Sequence, residues 1–230
     1  AGSLLRDDAA ELLDGTLALL EESGHGTEPA VYAGLMGAQL RRRDYAGVAA
    51  TASRVPSQAL TPKMRAMLAS AAAHRSRLDE ALGHLRQMPA PAAEGGRCAL
   101  APTAAAQVLA LASSEQRVSE ASQELQRIHA RVETKHFDEL ISAEARRHGL
   151  MACMELLDAG SALKVEKGPG AYQALAGALA QMSDGSGLRA LVEELEAETK
   201  RGHSGVAVGE PLALALLEAS RAVCDGDLPP

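Results

Sequence analysis

Residues 75–88 read RSRLDEALGHLRQM, and residues 115–128 read EQRVSEASQELQRI. Arg77, Glu80, Ala81 and Leu85 of the first stretch recur as Arg117, Glu120, Ala121 and Leu125 of the second, with Leu78 answered by Val118 and Met88 by Ile128. The shared apolar positions fall three and four residues apart, the spacing that puts side chains on one face of an α-helix. One amphipathic phrase written twice marks one structural element used twice.

The same kind of segment fills the rest of the chain. Helical patterns run over 31–43 and 44–55, 63–75 and 77–88, 103–115 and 117–128, 136–149 and 150–160, and 170–182 and 186–200. Further helical patterns cover 7–23, with Leu12, Leu13, Leu17, Leu19 and Leu20 on one face, and 210–223. Segments this short are marginal alone and need a neighbour for the apolar stripe. The paired segments begin near residues 30, 63, 103, 136 and 170, giving spacings of 33, 40, 33 and 34. Periods in this range mark stacked helical hairpins. The Pro-, Ala- and Gly-rich stretch 89–97 accounts for the longer spacing. The expected fold is all-α, a right-handed α-solenoid of stacked helix-turn-helix repeats. An N-terminal helix over 1–27 would be a partial or capping repeat, about five units would fill 28–200, and a capping helix and tail would occupy 201–230.

Composition agrees. Of the 230 residues, 47% are apolar but only 2% aromatic, with no Trp and one Phe, Phe137. The apolar set is mostly Ala and Leu, strong helix formers, while strand-favouring residues are sparse. The net charge of −7 argues against strong non-specific nucleic-acid affinity and leaves room for a local basic stripe. Asn is absent, so there is no N-glycosylation sequon. Cys98, Cys153 and Cys224 form no CxxC pair and read as small apolar side chains in a reducing compartment. No apolar run approaches the ~20 residues of a membrane helix, so no membrane insertion is expected. The first residues, AGSLLRDD, lack a charged-then-apolar signal pattern.

Chemistry-bearing motifs are missing. The seven His residues form no HExxH or other helix-spaced metal pair. The glycine-rich pieces at 24–26, 167–170 and 183–187 lack the Lys-Ser/Thr of a phosphate loop and read as turns. No GxSxG or Cys-centred signature is present. The expectation is a non-catalytic binding protein with no cofactor, metal or small-molecule substrate. Met36, Met64, Met67, Met88, Met151, Met154 and Met182 are expected mostly to fill gaps in the core.

The repeat resembles the pentatricopeptide-repeat family, a cousin of the tetratricopeptide repeat. Lys63 to Arg97 fits best, with Leu68, Leu78-Asp79-Glu80-Ala81 and Met88. Ala30 onward supplies Tyr32, Leu35 and Pro62. Gly170 onward supplies Tyr172 and Leu175, and His136 onward supplies Ile141, Gly149 and Leu157. The resemblance spans roughly 28–200 and implies single-stranded RNA as partner, in a mitochondrial matrix or plastid stroma, with first helices lining the concave face. It implies base-facing positions at Gly34, Met67, Gln107, Leu140 and Ala174. Of these only Gln107 offers a hydrogen-bonding side chain, so little base-specific readout is expected. It also implies phosphate contacts from basic residues ending the first helices: Arg41, Arg42, Arg43, Arg75, Arg77, Arg146, Arg147 and His148. Aligned by stacking, these would form a ridge with salt-dependent affinity for RNA backbone. The plainer reading of the same residues is complementarity to the negative helix end. The alternative function is a scaffold or accessory subunit that packs against other proteins of a large organellar complex.

Overall fold

The computed structural model describes residues 28–90, 98–200 and 209–226, together with Gly15, Ala18, Leu19 and Glu22. Those four are helical and exposed; the rest of the expected 1–27 helix lies outside the described residues. Among the described residues every regular element is helical, and the chain divides into two compact units, Ala1–Ala90 and Pro91–Pro230.

Among its described residues the first unit holds two helical hairpins. Helix α1 (Pro29–Arg41) pairs with α2 (Tyr45–Ser53), and α3 (Pro62–His74) pairs with α4 (Leu78–Arg86). Successive first helices pack on each other, α1 against α3, and α2 is wedged against both α1 and α3. The core closes around Tyr32, Met36, Val48, Met64, Met67 and Leu68.

In the second unit, α5 (Pro102–Ser114) pairs with α6 (Val118–Arg127), α7 (Thr134–His148) with α8 (Leu150–Ala162), and α9 (Pro169–Gln181) with α10 (Gly185–Lys200). The final helix, α11 (Glu210–Gly226), packs chiefly on α9, taking the place the first helix of a next hairpin would take. It buries Leu212, Ala219 and Val223 and leaves Leu214 and Leu217 exposed.

Local chemistry sets these boundaries. Pro stands at the start of α1, α3, α5 and α9, where its missing N–H costs nothing. The Thr61 hydroxyl accepts the Met64 N–H at the head of α3 (3.3 Å), and the Asp44 and Asp184 carboxylates accept Gly47 N–H (2.8 Å) and Gly187 N–H (2.9 Å) at the heads of α2 and α10.

Among the described residues, six helices end in the same way. Arg43, Ser76, Gln116, His129, Lys164 and Ser183 all take left-handed backbone conformations, with φ between 52° and 62°. The following N–H donates five residues back: Asp44 to Gln39 (2.9 Å), Arg77 to Ala72 (3.0 Å), Arg117 to Ala112 (2.8 Å), Ala130 to Leu125 (2.9 Å), Val165 to Gly160 (2.8 Å) and Asp184 to Leu179 (3.0 Å). This is the Schellman closure, normally given to glycine. The left-handed well costs an L-residue about 1–2 kcal/mol, and glycine loses about 0.5–1 kcal/mol through chain entropy. Gln116→Gly and Ser183→Gly are therefore each expected to stabilise the fold by about 0.5–1 kcal/mol. Urea denaturation of the single variants checks this.

The opening phrase now has its structure. Leu78, Ala81, Leu82 and Leu85 of α4 are at most 2% exposed, as are Val118, Ala121 and Leu125 of α6. On the outer side Arg77 pairs with Glu80 at 3.6 Å, and Arg117 with Glu120 at 2.7 Å. The phrase recurs because it is the second helix of a hairpin, carrying its core face and its ion pair together.

Candidate nucleic-acid interface

In the first unit the basic residues gather where first helices end. Arg41, Arg42 and Arg43 close α1, and all are exposed with no ion pair among the described residues. Beside them lies the end of α3. His74 stacks on Tyr45, with ring centroids 4.5 Å apart and planes 13° from parallel. Burial lowers the His74 pKa, and the Arg43 charge lowers it further, which ties the two turns together electrostatically. Arg75 and Arg77 are less available, because both lean on Glu80, at 3.9 and 3.6 Å.

In the second unit Arg146 and Arg147 are exposed at the end of α7 without an acidic partner among the described residues. His148 is also exposed, with Nε2 3.8 Å from the buried Glu144 carboxylate. The third hairpin breaks the pattern: the position of Arg42 and Arg75 is occupied by Glu115, which leans on Arg117 at 3.7 Å.

An open groove runs between the first helices α7 and α9. Its wider part, about 520 Å³, is flanked by Lys135, Glu139 and Arg146. A narrower part, about 260 Å³, shares Arg146 and continues past Gln173, Ala174 and Gln181. At its floor Asp138 accepts the N–H of Gly168 (2.9 Å) and of Gly170 (3.0 Å), so one hairpin caps the first helix of the next. Burial raises the Asp138 pKa, against the pull of those backbone donors. A carboxyl with a raised folded-state pKa favours the fold when protonated. That contribution is full below the ordinary carboxylate range and is lost as pH rises through the raised value. The stability of the wild type relative to Asp138→Asn is therefore expected to fall as pH goes from 4 to 7. Urea midpoints at the two pH values measure it.

The base-facing expectations divide. Gly34 is exposed, and Gln107 and Ala174 are half-buried, so all three have access to solvent. Met67 is 8% exposed and Leu140 6%, and both belong to the core rather than to a readable surface. Leu140 reflects a slip of register. Tyr32, Phe137 and Tyr172 each stand three residues after the first residue of their helix and are all buried. Counting from that aromatic, the fourth unit begins one residue earlier than residue 136. Its fifth position is then the exposed, groove-lining Glu139, and its thirteenth is Arg147 rather than His148. Lys135 and Glu139 were missed for this reason, and aligning Phe137 with the two tyrosines would have found them.

The methionines also divide. Met36, Met64, Met67 and Met88 are core, whereas Met151, Met154 and Met182 are exposed. Cys153 is fully buried, with its thiol pushed up to about 11 by burial and then by Glu144; Cys224 is exposed.

No protein-family profile matches the sequence, and no curated protein matches it. Among solved structures, the pentatricopeptide repeat protein PPR10 from maize superposes with a TM-score of 0.56 at 19% identity, over 96% of this chain. The chain spans about a third (33%) of that protein's length. The same protein in complex with an 18-nt psaJ RNA element aligns over 97% of this chain and 31% of its own, with a TM-score of 0.41 and 22% identity. The chain is thus a helical-repeat protein with the pentatricopeptide-repeat fold.

Proposed function

We propose that this chain is a non-catalytic, RNA-associated repeat protein that holds single strands by their phosphates and reads bases little. The observation that carries the reading is how the arginines are used. In a chain of net charge −7, Arg75, Arg77, Arg117 and Arg127 are matched to Glu80, Glu120 and Glu124. Arg41, Arg42 and Arg43 in one unit, and Arg146 and Arg147 in the other, are exposed and have no acidic partner among the described residues. Clustered, unneutralised arginines suit phosphate contacts, whose energy comes from counterion release. The shortage of polar side chains at the base-facing positions supports weak readout. A mitochondrial or plastid compartment belongs to the same proposal.

Each phosphate contact to a single strand contributes about −0.7 to the slope of log K against log salt. Arg41→Ala, Arg42→Ala and Arg43→Ala combined should flatten that slope by about 2, while Arg75→Gln with Arg77→Gln should barely move it. Fluorescence anisotropy with an oligouridylate reads both. An unchanged slope in the triple variant would overturn the assignment.

The second reading is a protein scaffold. Met151 and Met154, 76% and 47% exposed on α8, favour it, since exposed methionines suit adaptable protein contacts. An RNA titration that stays flat at low ionic strength would leave this reading standing.

A further inference from the structure

We propose that the second unit holds a phosphate-binding pocket separate from the arginines at the end of α7. The pocket, about 700 Å³, opens where α6 and α8 end and is lined by His129, Arg131 and Lys164 over a floor that includes Ala130, Val132 and Leu163. Among the described residues, no acidic side chain lines it. Of the carboxylates beside it, Glu124 pairs with Arg127 at 2.9 Å and Glu133 lies 3.5 Å from His136, while Glu155 and Asp158 line the adjoining concavity on the far side of Gln126 and Ala162.

The fold delivers His129 and Lys164 by repetition. His129 and Lys164 occupy the same left-handed position closing the second helices of successive hairpins. Their side chains are not needed as hydrogen-bond donors to the helix ends. The terminal carbonyls are already closed by backbone donors, His129 N–H to Gln126 (2.9 Å) and Ala130 N–H to Leu125 (2.9 Å) on α6, and Lys164 N–H to Ser161 (3.1 Å) and Val165 N–H to Gly160 (2.8 Å) on α8. Arg131 lies beyond the helix altogether. All three side chains lack an ion pair among the described residues, and His129, Arg131 and Lys164 are exposed. Two cations, Arg131 and Lys164, beside the His129 imidazole in a concavity that no acidic side chain lines among the described residues, fit a multiply charged phosphate, Arg131 giving a planar fork and Lys164 a point charge.

The test uses the full chain and inorganic pyrophosphate, followed by calorimetry. Saturable binding at one site is expected. Arg131→Gln with Lys164→Gln should weaken it at least tenfold, whereas Arg146→Gln with Arg147→Gln should leave it within twofold. Both pairs are exposed, and circular dichroism confirms that the variants fold. No saturable binding, or a loss that follows the Arg146 and Arg147 pair, would overturn the pocket. Competition identifies the source of the phosphate. An oligouridylate that displaces pyrophosphate makes RNA the donor, and one that does not makes it a free phosphorylated molecule. Either result is separable from the RNA reading, whose own test is the salt slope of the Arg41, Arg42 and Arg43 variant in the other unit.

Discussion

Phe137→Ala is expected to lower the unfolding free energy by about 3–5 kcal/mol. Phe137 is the chain's single Phe and is 1% exposed. Its ring lies against Gly160 of α8: a Cβ added at Gly160 would overlap Phe137 Cζ and come within 2.9 Å of Cε1. The hairpin α7–α8 therefore closes with an aromatic knob on a backbone that has no side chain there. Gly160→Ala should fail from the opposite side, by overpacking, at a cost of about 1–3 kcal/mol. Because the two residues share one contact, their effects should not add. Phe137→Leu should cost less in the Gly160→Ala background than in the wild type. Urea denaturation of the four proteins measures the cycle, and strict additivity would contradict this packing.

The second large effect falls on the opening phrase. Leu125→Ala and Leu85→Ala should each cost about 2–5 kcal/mol, since both side chains are fully buried in equivalent places. Glu120→Gln, which removes the partly exposed partner of Arg117, should cost no more than about 1 kcal/mol. The contrast separates the two halves of the repeated phrase. Its leucines hold the hairpin together, and its ion pair decorates the outer face. Equal costs for Leu125→Ala and Glu120→Gln, read from denaturation midpoints, would contradict that division.

The hairpin repeat was legible because its signals are local. Apolar spacing within the phrase, Pro at helix starts and the near-constant period all act within one or two turns of helix. The fourth unit was misplaced by one residue because Thr134 stands where four other first helices have Pro, and because α7 runs 15 residues where the others run 13. It ends only at Gly149, whose φ of 72° joins α7 directly to α8. The exposure of Met151 and Met154 was not legible, since a methionine at helical spacing looks the same whether or not a neighbour covers it. The arginine clusters could be read from sequence as basic, but not as unpaired. Arg75 and Arg77 look equivalent to Arg42 and Arg43 in sequence, and only the fold brings Glu80 to the first pair. The pocket of His129, Arg131 and Lys164 was invisible because two hairpins build it.

On the proposed function, exposed arginines at the ends of first helices hold RNA by its backbone. Titration of the wild-type chain with several unrelated single-stranded RNAs of equal length, across a range of salt concentrations, tests this. The expected result is one common affinity at each salt concentration, falling steeply as salt rises. An affinity that changes strongly with sequence but hardly with salt would contradict it.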